Sequence, residues 1–324
     1  MTLQGLRTSL SDHFFKPVSP YPVAVFRILF GLCTCITLLL LHGDWGNWFG
    51  VHGWISMETI ARAESGFRLN LFTMVPEDDR WFEALYWLFL TASVTLTLGL
   101  GTRLSSVLVF LGLNSINQRN PLILHGGDAF LRCAGFFLIF ARSFAVLSID
   151  SAIRRIRKPN AEVSPLISPW PQRLIQYQLA IIYLASFWWK TKGNSWWDGT
   201  ALFYVLHLRE IRRFPTPDFF NHLWVLRLGS WAAIAFELFF PLLVWFKPFR
   251  KPLLIAGLLF HLSLEYALNI PMFQWDMLAA YVLFMDFGWL ERAVESRSRH
   301  DAKKTALDSD RKKTGADAHA LVSG

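Results

Sequence analysis

The sequence has only three cysteines. Cys33, Cys35 and Cys133 each fall inside an apolar run of the 324-residue chain. No C-x-x-C spacing of a zinc site is present, and three thiols do not make the even-numbered framework of a disulfide-rich secreted domain. We therefore interpret all three as free thiols buried in an apolar environment, and we expect no metal site.

The sequence also lacks internal repeats and a signal-peptide cleavage site. Without a repeat, an inverted-repeat transporter is not indicated. The first apolar run, from Val23, is too long for the core of a signal peptide, and no small-x-small site follows it. The net charge of +8 could suggest a nucleic-acid partner. However, the basic residues flank hydrophobic segments, which is typical of membrane proteins, so no nucleic-acid partner is expected.

Long apolar runs dominate what is present. Of all residues 53% are hydrophobic, and several runs approach or reach the roughly 17–25 residues that span a bilayer. The sequence therefore predicts an all-α, polytopic transmembrane helical bundle of about eight spans, with seven or nine as alternatives. The predicted spans are 23–42, 81–100, 104–118, 129–149, 174–190, 224–246, 252–268 and 275–290.

Lysine and arginine are distributed unequally between the two sides of this bundle. Most of those outside the spans fall on the side that holds both termini, which predicts a cytoplasmic N-terminus and C-terminus by the positive-inside rule. The connections 43–80, 119–128 and 191–223 are then extracytoplasmic. The predicted regions are a cytoplasmic arm (1–22), a transmembrane domain (23–290) and a charged, disordered cytoplasmic tail (291–324).

Several ionisable residues fall inside the predicted spans. A charge in the hydrocarbon core costs about 2.5–3.5 kcal/mol, so each should be paired or face an internal cavity. His261 and Glu265 are four residues apart and share a helical face, either for acid–base chemistry or metal binding, or as a helix–helix hydrogen-bonding pair. Glu237 is interpreted as a partner of Arg132 or Arg142 across the bundle.

The loop "NSINQRNPLILHGGDAFLR", residues 114–132, is dense in polar residues between two apolar segments. Pro121 and the Gly126–Gly127 pair interrupt any helix there and leave backbone groups free to bind a ligand. Asp128 is placed to cap the span that follows. The loop is therefore either a structural cap or part of a binding site.

The stretch "SFWWKTKGNSWWDG", residues 186–199, sets two lysines among four tryptophans at the end of an apolar run. Next to Trp188 and Trp189, the Lys190 ammonium would lose solvation, which favours the neutral amine that a general base needs. The stretch would then hold a functional lysine at the mouth of a membrane pocket. The same residues would also form an ordinary interfacial belt with a snorkelling lysine.

The segments "RNPLILHGGDAFLR" and "WPQRLIQYQLAIIYLASFWWKTKGNSWWDGTALFYVL" resemble the horizontally transferred transmembrane (HTTM) domain family. This family is the bacterial relative of the membrane region of vitamin K-dependent gamma-carboxylase. The resemblance covers nearly all of residues 20–290, and its patterns R-N-x-x-x-x-x-G-G-D and K-x-x-G-x-x-W-x-x-G are specific. It implies a multi-pass protein of the bacterial inner or plasma membrane, with membrane lipids as partners.

In the carboxylase, a lysine at the corresponding place is regarded as the base that deprotonates vitamin K hydroquinone. Aligned on the W-x-x-G anchor, the resemblance implies Lys190 as this base, with Lys192 as the alternative because the loop is one residue longer here. His261 matches a histidine of a later span and is the second implied catalytic residue. The implied cofactor is reduced vitamin K or menaquinone. The implied pocket residues are Arg119, Asn120, Asp128, Trp188, Trp189 and Trp196.

The resemblance leaves two functions open. One is a quinone-dependent, carboxylase-like enzyme of the carbon–carbon lyase and epoxidase type. The carboxylases carry a large extracytoplasmic domain that helps to recognise protein substrates, and no counterpart of it is expected here. The alternative is therefore a non-catalytic membrane factor for the maturation or export of a secreted peptide, since some short family members act in peptide maturation.

Overall fold

The protein is described from a computed structural model that covers residues 3–63, 69–158 and 162–296. Most of the predicted tail, residues 297–324, lies outside these ranges. The described part is helical, with two isolated β-bridges in place of strands, so the predicted all-α class is confirmed. Its α-helices are α1 (Leu3–Phe15), α2 (Tyr21–Leu41), α3 (Trp45–Phe49), α4 (Met57–Ala63), α5 (Asp79–Leu98), α6 (Thr102–Arg119), α7 (Gly126–Phe140), α8 (Ile149–Arg157), α9 (Trp170–Lys190), α10 (Asn194–Asp198), α11 (Ala201–Leu206), α12 (Leu223–Leu243), α13 (Lys247–Ala267) and α14 (Phe273–Tyr281). Residues 288–296 are also helical.

Local chemistry explains where the long helices begin and end. Asp78 caps the start of α5 by accepting a hydrogen bond from the amide of Arg80. Gly99 ends α5 and Gly101 precedes α6, and both adopt the left-handed conformation that glycine tolerates at no steric cost. The two helices are therefore joined by a short connection and pack side by side.

Seven of the eight predicted spans lie mainly on one long helix each, including the third, where α6 is a full 18-residue helix. The eighth, 275–290, is interrupted, because α14 ends at Tyr281 and residues 285–287 are not helical before a helix resumes at residue 288. Within the described residues, three stretches are long and apolar enough to cross a membrane, namely Tyr21–Phe49, Asp79–Leu98 and Leu223–Leu243. The fourth predicted span was too long, because α7 ends at Phe140. The chain turns at Arg142, and Leu147 takes a left-handed conformation before Ser148 caps α8. The number of helices that cross a bilayer stays a prediction.

Contacts between the connections place alternate helix ends together. Arg119, at the end of α6, bonds to Phe49, and the ring of Phe273 lies 5.8 Å from that of His125. The amide of Arg213 donates to the carbonyl of Ala267. We call this side of the bundle, with the connecting residues 42–63, 69–78, 120–125, 191–222 and 268–272, the loop end.

The opposite side, which we call the arm end, holds residues 3–20 of the N-terminal arm and residues 99–101, 141–158, 162–169, 244–246 and 285–296. Here Val18 pairs with Ile167, and the Asp150 carboxylate accepts hydrogen bonds from the amides of residues 101 and 102. His13 of α1 hydrogen-bonds to Tyr177 of α9 at 3.0 Å. The helices therefore run alternately up and down, with polar connections gathered at two separate ends.

The interior and the outer surface of the bundle are both apolar. The main core is built from α2, α5, α6, α7, α9, α12 and α14 around buried phenylalanines such as Phe26, Phe130 and Phe240. Cys33 and Cys35 are buried free thiols, whereas Cys133 is a free thiol on the surface. Many large apolar side chains, including Trp87 and Leu104, are exposed on the outside. Such a surface suits a lipid environment.

Candidate functional site

A cavity of about 710 Å³ lies between α9, α12 and α13 in the loop-end half of the bundle. Its volume falls within the range of about 300–1,000 Å³ that is typical of small-molecule sites. Most of its wall is apolar, with aromatic contributions from Phe236 and Phe260. We call it the central cavity. Its polar lining includes Tyr183, Ser186, Lys190, Glu237 and His261.

An ion pair joins two helices in the wall of the central cavity. Lys190 is the last residue of α9, and its Nζ donates to Oε1 of Glu237 on α12. The Ser186 hydroxyl, one turn earlier on α9, donates to the same oxygen at 3.0 Å. Lys190 Nζ also lies 4.9 Å from the centre of the Trp196 ring, within cation–π distance. The amine is thus held between a carboxylate and an indole.

The two members of this pair differ in exposure. The side chain of Lys190 is 22% exposed and that of Glu237 is 4% exposed. The second carboxylate oxygen of Glu237, Oε2, is buried and has no hydrogen-bond partner among the described residues. A buried unpaired acceptor costs free energy. Oε2 is therefore a candidate acceptor for a donor group on a ligand.

The predicted partners of Glu237 were wrong. Neither Arg132 nor Arg142 pairs with it, because α12 packs along α9 and this places the carboxylate beside Lys190. Arg142 also lies beyond the end of α7. The negative charge of Glu237 is thus neutralised by Lys190 in the wall of the central cavity.

A second polar group, the His261 chain, comprises Tyr281, Tyr183, His261 and Gln274. Tyr183 Oη lies 2.6 Å from both Tyr281 Oη and His261 Nε2, and His261 Nδ1 lies 2.5 Å from Oε1 of Gln274. Because the Gln274 oxygen faces Nδ1, the imidazole carries its proton there and donates it to Gln274. Nε2 then accepts from Tyr183, whose oxygen accepts from Tyr281.

His261 and Glu265 do not act together as their spacing suggested. His261 is buried in the chain described above, whereas Glu265 forms an ion pair with Arg213 at 2.5 Å. Arg213 belongs to the connection between α11 and α12, so this pair fastens a loop-end segment to α13. Although His261 and Glu265 share a face of α13, His261 bonds to Tyr183 and Gln274, whereas Glu265 pairs with Arg213.

Sequence reasoning missed Tyr183, Ser186 and Gln274. Tyr183, Ser186 and Lys190 follow the spacing i, i+3, i+7 on α9, which places them on one helical face. The sequence alone could have predicted a polar face here, because polar side chains at these positions interrupt an otherwise apolar helix. The sequence gives no indication that Gln274 contacts His261, because it is simply a polar residue in a short apolar helix.

Arg119 and Asn120 lie at the loop end but do not line the central cavity. The buried guanidinium of Arg119 donates to three backbone carbonyls, at 3.0, 2.5 and 2.8 Å. Asn120 donates to a fourth carbonyl at 3.1 Å and accepts from the amide of Leu122. The four carbonyls belong to Trp48, Phe49, Gly50 and Ile55. We call this arrangement the Arg119 clasp.

Asp128 has the predicted capping role in a modified form. It accepts from the backbone amide of His125 at 2.9 Å, and the His125 ring in turn accepts from the amide of Gly127. This capping box starts α7. Asp128 lies outside the central cavity.

The tryptophans and lysines of the 186–199 stretch separate into two groups. Trp188 and Trp189 point outward and are more than half exposed, and Lys192 lies over the Trp188 ring at 3.8 Å. Lys190 and Trp196 line the central cavity. Of the two lysines proposed from the sequence, only Lys190 faces a space that could hold a ligand.

Comparison with known families identifies one match. The family model of the HTTM domain matches residues 15–289. The matched range contains every residue that lines the central cavity. No solved structure matches the chain.

Proposed function

The chain belongs to the HTTM domain family, and we propose that it is an integral membrane enzyme that acts on a quinone-type ring compound. In this proposal the central cavity holds the ring, and the Lys190–Glu237 pair accepts the proton of a ring hydroxyl group. The observation that carries the proposal is a cation–carboxylate pair, with a free carboxylate oxygen, in the wall of an apolar cavity.

The residues of the central cavity fit a reduced quinone. Apolar and aromatic walls suit its ring, and its hydroxyl groups are the donors that Glu237 Oε2 lacks. Trp196 and Phe236 would flank the ring, and Lys190 would lie nearest to its oxygen. When bound, reduced vitamin K or menaquinone would react with oxygen, its oxidant, and so supply the strong base for the carboxylase-like chemistry that the family resemblance implies.

The geometry suggests how Lys190 becomes a base. In the ion pair its ammonium form is held by the Glu237 carboxylate, so a proton must first leave Nζ. The acceptor in contact is Oε1 of Glu237, and apolar surroundings reduce the cost of converting the charged pair to a neutral amine and acid. Lys190 then accepts a proton from the cavity side, while Ser186 keeps Oε1 oriented.

His261 has a positioning role in this proposal. Both ring nitrogens are occupied by Tyr183 and Gln274, so the imidazole fixes the Tyr183 hydroxyl at the cavity wall. Tyr183 then presents a fixed polar edge on the same face of α9 as Lys190, two turns before it. This arrangement would orient the ring compound.

A purified protein in lipid nanodiscs tests the proposal by binding and turnover of reduced menaquinone and vitamin K. We expect Lys190→Ala to lower turnover roughly 10²–10⁴-fold, the usual contribution of a general base. Lys192→Ala is the matched control, because Lys192 lies outside the cavity, and its turnover should stay near that of the parent protein. If the parent protein neither binds nor oxidises either quinol, the enzyme proposal fails.

We also propose that the protein crosses the bacterial inner or plasma membrane eight times, with the loop end outside and both termini in the cytoplasm. The excess of lysine and arginine at the arm end supports this orientation. The three native cysteines can be replaced, and single cysteines introduced into residues 191–223 can be labelled with an impermeant maleimide. Labelling only from the cytoplasmic side would refute this orientation.

The alternative function, a non-catalytic factor for a secreted peptide, is favoured by exposed aromatic residues at the loop end. Trp54, Trp197 and Phe219 are each more than half exposed there and could contact an apolar peptide. This alternative predicts that Lys190→Ala preserves the cellular phenotype. It also predicts that Trp54→Ala with Phe219→Ala abolishes the phenotype, so the two proposals give opposite results.

A further inference from the structure

A second cavity, of about 850 Å³, lies at the arm end between α13 and residues 278–292. We call it the arm-end groove. It is open along an outer face of the bundle, where Ile255 and Trp289 are both exposed. Apart from Tyr281, it shares no residue with the central cavity or the His261 chain. The proposed quinone chemistry therefore leaves it without a role.

One face of α13 gives the groove its chemical character. Lys247, Lys251, Leu254, Ile255 and Leu258 follow the spacing i, i+4, i+7, i+8, i+11, so they share a helical face. The two cations stand at the start of the helix and the three apolar residues follow toward its middle. At 1.5 Å per residue this face runs for about 16 Å. It is therefore basic at its rim and hydrocarbon-like along its length.

The groove carries an excess of positive charge. Lys247 and Lys251 line the groove from α13, and Arg292 lines it from residues 278–292. None of the three forms an ion pair within residues 3–63, 69–158 and 162–296. Asp286 is the carboxylate among the groove residues, and it accepts a hydrogen bond from a backbone amide. Arg250 donates to two carbonyls of the connection between α12 and α13. Three cationic groups thus surround a site for an anion.

We propose that the arm-end groove binds one anionic glycerophospholipid. Its phosphate would be bound by Lys247, Lys251 and Arg292, and an acyl chain would lie along Leu254 and Leu258. A free phosphate would not use the apolar face, and a neutral lipid would not need three unpaired cations. Basic pockets between membrane helices recognise anionic headgroups in this way.

The location of the groove agrees with this occupant. It lies at the end that the positive-inside rule places in the cytoplasm. Trp289 and Met285 are exposed at its rim, and tryptophan is enriched at the depth of lipid headgroups. A lipid seated here would have its headgroup at the membrane surface and its chain toward the centre of the bilayer.

Competition between lipids in detergent solution tests the proposal. The full-length protein is incubated with equal amounts of phosphatidylglycerol and phosphatidylcholine of identical acyl chains, and bound lipid is measured by native mass spectrometry. We expect preferential retention of phosphatidylglycerol. Because each cation near an anionic lipid contributes roughly fivefold, the variant Lys247→Gln/Lys251→Gln/Arg292→Gln should lose on the order of a hundredfold in preference.

A matched variant separates this site from general surface charge. Arg155→Gln/Arg157→Gln/Lys158→Gln removes the same charge at the arm end, but none of its residues lines the groove. It should retain the preference for phosphatidylglycerol. Equal loss in both triple variants, or equal retention of the two lipids by the parent protein, would overturn the proposal.

A second variant tests the apolar part while all three cations stay in place. Leu258→Trp fills the groove, whereas Leu242→Trp adds the same bulk at an exposed position of α12 outside it. We expect lipid retention to fall about tenfold for Leu258→Trp, in proportion to lost apolar contact, and to be unchanged for Leu242→Trp. Displacement of bound lipid by millimolar inorganic phosphate alone would instead identify a free-phosphate site and overturn the lipid assignment.

Discussion

Two basic residues occupy equivalent places at the loop end, yet their surroundings differ. Arg119 is the last residue of α6 and Lys190 is the last residue of α9. Arg119 is buried, and its guanidinium is bound by three carbonyls of a single neighbouring segment. Lys190 faces a cavity and pairs with Glu237, whose second oxygen has no partner among the described residues.

From this difference we propose that hydrogen-bond saturation distinguishes a structural cation from a candidate functional one. The Arg119 clasp uses backbone acceptors, and its guanidinium is fully buried and does not line the central cavity. The Lys190–Glu237 pair retains an acceptor and borders an apolar space. Four predictions test this distinction, from the largest expected effect on stability to the smallest.

Replacing Arg119 should have the largest effect. Arg119→Met leaves the carbonyls of Phe49 and Ile55 without a donor, at about 1–3 kcal/mol each, whereas the Gly50 carbonyl keeps the amide of Gly53, so we expect a destabilisation of about 2–6 kcal/mol. Total stabilities of about 5–15 kcal/mol leave little reserve against such a loss. The measurement is the thermal unfolding midpoint of purified protein in detergent. A variant with unchanged stability and lost quinol binding would contradict the structural role of the clasp.

The second prediction concerns the Lys190–Glu237 pair. Lys190→Met leaves an unpaired, buried carboxylate and should destabilise by about 1–3 kcal/mol, reduced from the value for a fully buried pair because Lys190 is partly exposed. The double variant Lys190→Met/Glu237→Gln should recover to within about 1 kcal/mol of the parent protein.

The same variants separate stability from function. Quinol turnover should be lost in the double variant even though its stability recovers, because neither the base nor its proton acceptor remains. Unfolding midpoints and turnover are measured on the same preparations. If the destabilisation of the double variant equals the sum of the destabilisations of the two single variants, each residue stabilises the fold independently. Lys190 would then have a structural role like that of Arg119.

The sequence predicted the helical segments well because long apolar runs between polar connections leave few alternatives to a helix in lipid. It also placed Lys190 and His261 in one region. It could not distinguish Arg119 from Lys190, because both are basic residues that end a span beside a polar loop. Their roles depend on which helix packs alongside, and the pairing of α9 with α12 is a long-range contact that local patterns do not encode.

The third prediction concerns Tyr183, which bridges His261 and Tyr281. Tyr183→Phe removes two buried hydrogen bonds and should destabilise by about 1–3 kcal/mol, with a weaker affinity for quinol. Tyr86→Phe is the matched control, because the buried hydroxyl of Tyr86 has no partner among the described residues and its loss should be nearly neutral. Equal effects of the two substitutions on unfolding would show that the His261 chain contributes nothing specific.

The smallest expected effect concerns Asp150, a saturated carboxylate at the arm end. Burial alone would raise its pKa, but hydrogen bonds from Thr102 and Gly101 outweigh burial and hold the pKa below its usual range. A lowered pKa means that the carboxylate stabilises the fold above the unfolded value of about 3.9. This contribution is lost as the pH falls through the lower folded value.

The test compares Asp150→Asn with the parent protein in thermal unfolding between pH 7 and pH 3. We expect a loss of about 0.5–1.5 kcal/mol at neutral pH, with a smaller difference between the two proteins at pH 3. Quinol binding should be unchanged, since this carboxylate is saturated in the same way as the clasp. A change in quinol affinity would show that saturation does not mark structural groups.

Tyr281 gives the two cavities a common wall. Its side chain lines the arm-end groove, its hydroxyl bonds to Tyr183 on the central cavity, and Gly257 lies directly beneath, where a Cβ would collide with that hydroxyl. A ligand that displaces Tyr281 from either side must alter the other compartment. Thermodynamic reciprocity then requires that lipid and quinol change each other's affinity by the same factor. The lipid composition of the membrane would therefore alter the affinity of the protein for quinol.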